Sequence, residues 1–479
     1  MEISGLKSNI AVKVEPEYTG DLVVDIVCGG IPKNRITHLF APDGIGKTTL
    51  ALYLFGNMFY IQKKKCEIIS ELLDGVKNKK TIDLLSLDDK YVFLRSLFKD
   101  SVVSVNDLKN EAKEPYFLYI DSEQSFNEEW FKTLFRPNNV EVTVDKGEYF
   151  TIVDVDTGKE IGIIIQPFYY EDISNIMTTF EKYCINENKK GYLLWDSVVS
   201  PTTIDRESGD NKVGYKATAI QDILDRHDKL LTAASITSIF INQVRDKLQM
   251  GMFVKDVSGE TSNLDVNVPG GWALKFRSCL SLTLLKGSNL SYGGNINEKK
   301  NPYMLKGKVI KLSTGKNKLR GGNVNGTLAF INDYGYSPTT SMLISFTKKI
   351  GNVPKELLGR EKDMRFIQFM NEMESNNDLV NTFFTNVLNS LVVTYSFVNA
   401  SKKLLLNKDF YVDIITNDVH MLNNFAKEYA GLFNDVNTEV VDNDTGEILF
   451  TPSEDNSVDE DISSNNVDSS IDDESKGKK

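Results

Sequence analysis

The segment APDGIGKTTL, residues 41–50, limits the possible folds of this chain more than any other stretch of its sequence. Its glycine loop follows the apolar run RITHLF (residues 35–40) and leads into a helical pattern that starts near Lys47. Backbone N–H groups of such a loop can surround phosphates, and the helix N-terminus adds partial positive charge. The order of strand, loop and helix predicts a P-loop in an α/β fold. The predicted nucleotide-binding residues are Ala41, Pro42, Asp43, Gly44, Ile45, Gly46, Lys47, Thr48 and Thr49.

Two side chains of this loop carry the predicted chemistry. Lys47 is expected to reach the β and γ phosphates of ATP, and the Thr48 hydroxyl is expected to ligate Mg²⁺. The alternative is a chance glycine turn before a helix, and the correct strand and helix context argues against it. The loop predicts ATP and Mg²⁺ as cofactors, but it does not say what the nucleotide is used for.

Short apolar runs that end in polar residues recur along the chain and predict buried parallel strands. Longer stretches with helical spacing lie between them, such as residues 171–185 and 213–234. Alternation of this kind predicts a mostly parallel twisted sheet covered by helices on both faces, with ligands at the carboxyl ends of the strands. The runs are YFLYID (116–121), GIIIQP (162–167), YLLWDS (192–197) and SIFINQ (238–243).

The chain is too long for one ordinary core, and its pattern changes along its length. We predict an N-terminal arm, a P-loop ATPase core, a small, mainly helical C-terminal domain and an acidic disordered tail. The core is expected to carry a lysine-rich helical insert and a β-hairpin insert with turns near Gly147 and Gly158. The predicted ranges are 1–21, 22–339, 340–434 and 435–479, with the inserts at about 61–113 and 138–161.

Charge and composition narrow the class of protein. The net charge is −12, but residues 435–479 hold 14 acidic and 3 basic side chains, so the remaining chain is close to neutral. Residues 295–320 form a local basic run, so the overall charge does not exclude DNA as a partner. No apolar run has the length of a membrane span, and the N-terminus lacks a secretory signal. Four scattered cysteines predict neither a zinc site nor a disulfide framework, and the expected location is cytoplasmic.

Acidic residues end two of the predicted strands. Asp196 ends YLLWD and can hold the Mg²⁺ shell through water, although strand ends often carry an aspartate for other reasons. Asp121 and Glu123 follow the strand YFLYI, and Glu123 can polarise a water for attack on the γ-phosphate. A helix-capping acidic cluster is the alternative for this second pair.

Three segments together resemble the RecA recombinases, including their phage relatives of the UvsX kind. They are APDGIGKTT, IFINQVRDKL and PGGWALKF, and the resemblance extends from about residue 22 to residue 345. By this resemblance Glu123 is the catalytic glutamate and Asp196 the Mg²⁺-associated aspartate. Trp130 falls where the family stacks an aromatic ring on adenine, although a core tryptophan is an equal alternative. Gln243 matches the family's γ-phosphate sensor.

The resemblance also implies DNA-binding and subunit-bridging residues. Two loops correspond to the family's DNA-binding loops, and ordinary connections are the alternative for each. Lys316 and Lys318 match a lysine pair that reaches the nucleotide of a neighbouring subunit, and ALKFR (273–277) resembles another part of that interface. A solvated lysine-rich hairpin is the alternative for this pair. The implied DNA contacts are Lys212 and Val213 in residues 208–214, and Arg245, Lys247 and Leu248 in residues 244–269.

The resemblance implies an ATP-dependent recombinase. It is expected to form a helical filament on single-stranded DNA, pair that strand with homologous duplex DNA and hydrolyse ATP when DNA is bound. The short N-terminal region leaves two candidates for self-association, residues 1–20 and the insert 61–113. Two other functions remain open at this stage, a ring-forming DNA helicase on the same core and a nucleotide-regulated DNA-coating or mediator protein.

Overall fold

A computed structural model describes most of the chain up to residue 434. The chain divides into two compact units, residues 1–426 and 427–479. The described part of the second unit consists of the end of the last long helix and a two-stranded sheet. The described residues are 14–77, 79–145, 147–204, 214–243, 273–291, 306–320, 325–347, 352–373, 375–395, 403–434, 440–441 and 448–450.

The strands are numbered here in chain order. They are β1 (Pro16–Glu17), β2 (Ile31–Pro32), β3 (Ile36–Ala41), β4 (Thr81–Asp83), β5 (Val102–Ser104), β6 (Pro115–Asp121), β7 (Val140–Asp145), β8 (Tyr149–Asp154), β9 (Glu160–Ile165), β10 (Lys190–Asp196), β11 (Ile236–Gln243), β12 (Leu280–Ser291), β13 (Lys306–Asn317), β14 (Asn325–Ile331), β15 (Gly335–Tyr336), β16 (Asn352–Val353), β17 (Met364–Arg365), β18 (Val440–Val441) and β19 (Ile448–Phe450).

The helices are numbered in the same way, apart from two single 3₁₀ turns at Leu84–Ser86 and Asp89–Tyr91. They are α1 (Leu22–Cys28), α2 (Lys47–Gly75), α3 (Leu94–Leu97), α4 (Val105–Glu111), α5 (Glu128–Leu134), α6 (Tyr170–Asn186), α7 (Tyr215–Ala233), α8 (Ala273–Arg277), α9 (Pro338–Thr347), α10 (Lys355–Leu358), α11 (Phe366–Met373), α12 (Asn377–Tyr395) and α13 (Lys408–Asn434).

One large sheet organises the first unit. Among the described residues it has 11 strands, in the order β15, β14, β13, β12, β3, β11, β10, β6, β9, β8, β7. The six central strands, from β12 to β9, are parallel, and the strands on both flanks are antiparallel. The predicted α/β fold with a RecA-like sheet is confirmed, and the parallel part is its centre.

The central strands are largely apolar because helices cover both faces of the sheet. Every residue of β6 and β10 is buried, as expected for strands that face two cores. One core packs α1, α2 and α5 against the sheet, and the other packs α6 and α7 against the opposite face. The strands predicted at 35–40, 116–121, 162–167, 192–197 and 238–243, and the helices predicted at 171–185 and 213–234, are observed within a few residues of these positions.

The predicted hairpin at 138–161 extends one edge of this sheet. Strands β7 and β8 pair antiparallel, and β8 pairs antiparallel with β9, the last of the parallel strands. Gly147 and Gly158 have positive φ angles in the two turns, as the turn signals predicted. The inserted residues therefore lengthen the sheet rather than forming a separate element.

The segment 61–113 is helical in its first part and mixed afterwards. Helix α2 continues without a break from the P-loop to Gly75, and a two-stranded sheet of β4 and β5 with short helices follows. These elements share a small apolar core with Phe410 and Ile414 of α13. The insert thus packs on the C-terminal helix, a contact that the sequence of the segment did not predict.

Helices dominate after β15, and α13 is the longest of them in this region. Its residues Tyr411 and Asp418 are buried against the first unit's core. Within the described residues, no helix combines the length and the apolar composition required to cross a bilayer.

Candidate nucleotide-binding site

The predicted phosphate-binding loop lies between β3 and α2, at the carboxyl edge of the central strands. Gly44 and Gly46 have φ angles of 70° and 85°, in the left-handed region that glycine adopts without strain. A Cβ on Gly44 would meet nothing within 4 Å, so conformation rather than crowding favours glycine there. Gly46 directly precedes α2, so the loop turns into a helix N-terminus, which is a ready site for an anion.

Lys47 holds its charge inside this loop. The side chain is buried, and its ammonium donates hydrogen bonds to the carbonyl oxygens of Ala41 at 3.1 Å and Pro42 at 3.0 Å. Asp43 Oδ1 lies 3.4 Å from the same nitrogen. Phosphate oxygens are stronger partners for an ammonium group than neutral carbonyls. Lys47 is therefore placed to bind a phosphate that enters the loop.

Thr48 and Asp196 meet at the end of β10. The Thr48 hydroxyl donates a hydrogen bond to Asp196 Oδ2. Asp196 is almost completely buried, and this burial raises its pKa to about 7, with a further contribution from the nearby Glu123 and Asp121 carboxylates. A buried carboxylate of this kind gains from a nearby cation.

These two groups fit a magnesium ion that also contacts a nucleotide. Mg²⁺ is commonly bound by one or two protein oxygens, with water and substrate phosphates completing its shell. The described part of the chain contains no cluster of three or more His, Cys, Asp or Glu residues that could hold a metal ion by itself. Thr48 and Asp196 would hold the ion, and phosphate and water would supply its other ligands.

Glu123 and Gln243, which are 120 residues apart in sequence, are in contact. The Gln243 amide donates to Glu123 Oε1 at 3.1 Å. The Ser200 hydroxyl lies 3.3 Å from the same oxygen and pairs with the Ser197 hydroxyl at 2.7 Å. Glu123 is exposed at the edge of the sheet. The carboxylate is held by two neutral donors and is accessible to water, an arrangement that suits a group that orients an attacking water.

Strand register explains why these residues converge. Asp121 and Asp196 are direct partners on β6 and β10, and Gln243 is the partner of Ala41 on β11 and β3. Parallel neighbours bring their carboxyl ends to one edge. Asp121 itself accepts hydrogen bonds from the Gln166 amide at 2.8 Å and the Phe126 N–H at 3.0 Å. Asp121 therefore orders the turn that carries Glu123.

Trp130 lies on α5, beside the start of α2. The turn at β15 separates the two helices: a Cβ on Gly335 would lie 3.9 Å from the indole Cη2 and 4.0 Å from the Thr49 methyl. The indole is half-buried. Trp130 is thus near the P-loop helix with part of its ring accessible, as a base-stacking residue requires, and its role in binding adenine stays a prediction.

Lys316 and Lys318 lie far from these groups. Asn317 pairs with Leu280, and Leu280 pairs with Thr37 near the beginning of β3. The P-loop follows Ala41 at the other end of β3. About 13 Å of strand therefore separates the level of Thr37 from the P-loop, at about 3.3 Å per residue. The Lys316 ammonium donates to the Lys275 and Phe276 carbonyls at 3.1 and 2.5 Å, and burial lowers its pKa. The lysine pair lies toward the amino-terminal ends of the central parallel strands, and the P-loop lies at their carboxyl ends, so the two occupy opposite strand-end edges of the sheet.

The predicted DNA contacts lie outside the described residues. They are Lys212, Val213, Arg245, Lys247 and Leu248. The elements that border them are described: α7 starts at Tyr215, β11 ends at Gln243 and α8 starts at Ala273. Gln243 is therefore both a contact of Glu123 and the residue before the second predicted loop.

Sequence reasoning did not single out Ser200 or Tyr336. Ser200 follows Asp196 by four residues, so its position after the same strand was an available signal. Tyr336 donates a hydrogen bond to the Gly46 carbonyl at 3.4 Å across 290 positions of the chain, and no local pattern indicates such a contact.

These features define a class: a P-loop nucleotide-binding core with a buried aspartate beside its threonine and an accessible glutamate at the end of the neighbouring strand. Comparison with known proteins shows similarity to RecA proteins. The chain is 28% identical over 311 residues to the RecA protein of Aquifex aeolicus, covering 64% of each chain. It is 25% identical over 312 residues to RecA of Mycoplasma mycoides, covering 64% of this chain and 63% of that protein.

A third relative, RecA of Aquifex pyrophilus, is 27% identical over 311 residues. No protein-family model matches the chain. The chain spans just under two thirds of the length of the RecA proteins that it matches. The fold and the order of the motifs agree with this similarity to RecA proteins.

Proposed function

We propose that the protein is an ATP-dependent recombinase that assembles on single-stranded DNA and pairs it with a homologous duplex. The observation that carries this proposal is the hydrogen bond between Glu123 and Gln243. It joins the residue best placed to orient the attacking water to the residue that precedes the second predicted DNA-binding loop. Through this bond, the residue proposed to act in ATP hydrolysis contacts the residue next to a predicted DNA-binding loop.

The residues of one subunit would then have separate roles. Lys47 binds the β and γ phosphates, while Thr48 and, through water, Asp196 hold the Mg²⁺ that neutralises phosphate charge. Glu123 orients and polarises the attacking water. Gln243 exchanges its bond to Glu123 for one to the terminal phosphate, so that the loop after it differs between ATP and ADP states.

The position of the lysine pair supports a site shared between subunits. Lys316 and Lys318 lie at the edge opposite their own P-loop, so in a head-to-tail assembly they would meet the nucleotide of the next subunit. Cations supplied in this way stabilise charge on the transferred phosphoryl group and make hydrolysis depend on assembly.

DNA binding is proposed for the two loops around Lys212 and Arg245. Basic groups neutralise the phosphates of a strand, and small apolar side chains such as Val213 and Leu248 fill opened base steps. The proposal keeps the four ranges predicted from sequence: arm 1–21, core 22–339, helical domain 340–434 and acidic tail 435–479.

The test is ATP hydrolysis with and without single-stranded DNA across a range of protein concentrations. We expect DNA to stimulate turnover, and we expect the stimulation to rise cooperatively with protein. Glu123→Gln should retain ATP and DNA binding and lose turnover, whereas Glu129→Gln, an exposed glutamate on α5, should behave as wild type. Lys47→Ala should lose nucleotide binding.

Electron microscopy with ATP and single-stranded DNA distinguishes the alternatives. Helical filaments are expected. Rings without filaments would favour a helicase on the same core, and DNA coating with unchanged turnover in Glu123→Gln would favour a mediator protein whose nucleotide is regulatory.

A further inference from the structure

The turn that carries β15 forms one wall of the candidate nucleotide site. Tyr336 is fully buried, its hydroxyl donates to the Gly46 carbonyl of the P-loop, and its ring stacks on Tyr53 of α2 at 5.9 Å between centroids. Gly335 has a φ of 95°, and a Cβ there would lie 2.7 Å from Leu134 of α5. The turn therefore fits closely between the P-loop helix and the helix that carries Trp130.

Arg136 holds both peptide carbonyls that flank Gly335. Its guanidinium donates to the Tyr334 carbonyl at 2.8 Å and to the Tyr336 carbonyl at 2.9 Å. It also donates to the Thr133 carbonyl at the end of α5 at 2.8 Å and lies 3.8 Å from the centre of the Tyr334 ring. Arg136 is 5% exposed, so these bonds form away from water. The guanidinium fork fixes the spacing between α5 and the turn.

Asp418 of α13 holds the same turn from the other side. Its Oδ1 accepts from the Tyr334 hydroxyl at 2.7 Å, and its Oδ2 accepts from the Ser337 hydroxyl at 2.8 Å and the Thr339 N–H at 3.2 Å. An Arg136 nitrogen lies 3.9 Å from Oδ1. Asp418 is 2% exposed. A buried carboxylate with three donors and a nearby guanidinium is strongly held, and each donor comes from residues 334–339.

We propose that Arg136 and Asp418 are positioning residues for the nucleotide site, and that through Asp418 the C-terminal helix α13 sets the affinity for ATP. This inference rests on the proposed function. The two charged groups fix the β15 turn, and the turn fixes Tyr336 against Gly46. By linkage, bound nucleotide must in return stabilise the docking of α13 on the turn.

The test uses Asp418→Asn in the full chain. An amide keeps the size of the side chain but presents N–H groups to hydroxyl and N–H donors, so at least one buried donor loses its acceptor. We expect the Kd for a fluorescent ATP analogue with Mg²⁺ to rise about tenfold. At saturating ATP and DNA, kcat should stay within about twofold of wild type, since no group that contacts the reacting atoms has changed.

Hydrogen exchange supplies a readout that general destabilisation would not give. In the wild type, ATP is expected to slow amide exchange in residues 408–426, and Asp418→Asn should lose this response. Tyr334→Phe, which removes one hydroxyl bonded to Asp418 and keeps the ring under Arg136, should show the same changes with smaller size and remains available if Asp418→Asn does not fold.

The matched control is Tyr411→Phe on the same helix. It removes a buried hydroxyl that donates at 2.6 Å to Asp25 of α1 rather than to a residue of the turn. We expect ATP affinity to be unchanged in this variant. Equal weakening by Tyr411→Phe, or unchanged affinity in Asp418→Asn and Tyr334→Phe, would overturn the proposal. A wild-type protein that binds no ATP would instead overturn the proposed function itself.

Discussion

Two inactive variants should recover activity when they are mixed. Glu123→Gln removes the proposed water-orienting group at the P-loop edge, and Lys316→Ala with Lys318→Ala removes the cations at the opposite edge. If each ATP lies between the P-loop edge of one subunit and the lysine edge of the next, the two variants damage different halves of the same site. Each variant alone then contains no complete site.

The expected recovery follows from the geometry of the sheet. About 13 Å of strand separates the two edges, so the lysine pair cannot serve the P-loop of its own chain. We expect each variant alone to lose turnover by at least about a hundredfold. In an equal random mixture, half of the subunits have an intact Glu123 and the other half have intact lysines. About a quarter of the head-to-tail interfaces should then be complete.

The assay is ATP turnover on single-stranded DNA at a fixed total protein concentration, with the mixing ratio varied. Turnover should follow the product of the two fractions, with its maximum at equal amounts. The inactive control is a chain that carries Glu123→Gln, Lys316→Ala and Lys318→Ala together, mixed with either variant. Turnover that stays at the level of the separate variants at every ratio would refute the shared site.

Three further results are expected. Burial raises the pKa of Asp25 from 3.8 to about 7, so the folded state keeps a proton that the unfolded state loses. The free energy of unfolding should therefore fall as pH rises from about 4 to 7. Asp25→Asn should flatten the accompanying decline in melting temperature, and an unchanged slope would contradict this role for Asp25. Gly335→Ala should lower the free energy of unfolding by on the order of 2 kcal/mol, because the positive φ strains an alanine and its Cβ would press on Leu134. An unchanged melting temperature would contradict this expectation. Ser200→Ala should lower kcat about threefold without changing KM, because Glu123 loses one donor; a change confined to KM would exclude this role.

Local patterns were sufficient for the elements of the core. The apolar runs ending at Asp121, Asp196 and Gln243 predicted buried strands, because a strand covered on both faces buries the side chains on both of its faces and is therefore largely apolar. The glycine loop predicted the start of α2 at Lys47, because the conformations of Gly44 and Gly46 are requirements of the backbone itself. These signals are contained within ten or so neighbouring residues.

The insert 61–113 shows where local patterns stopped being sufficient. The segment is predicted to be a lysine-rich helical insert, yet residues 81–83 and 102–104 pair as a small sheet. That pairing depends on an apolar core shared with Phe410 and Ile414, more than 300 positions further along the chain. Propensity is overridden by tertiary packing at such places.

Local sequence was sufficient to predict the class of fold, the phosphate loop and the residue types at the ends of the strands, because each of these follows from contacts between near neighbours and from the period of a strand or helix. Which of those ends meet is set by the tertiary structure. It brought Gln243 and Ser200 to Glu123, put Lys316 at the opposite edge and joined Asp418 to the wall of the nucleotide site. Register between strands and docking of distant helices are set by packing across the whole core, and no short stretch of sequence contains that information.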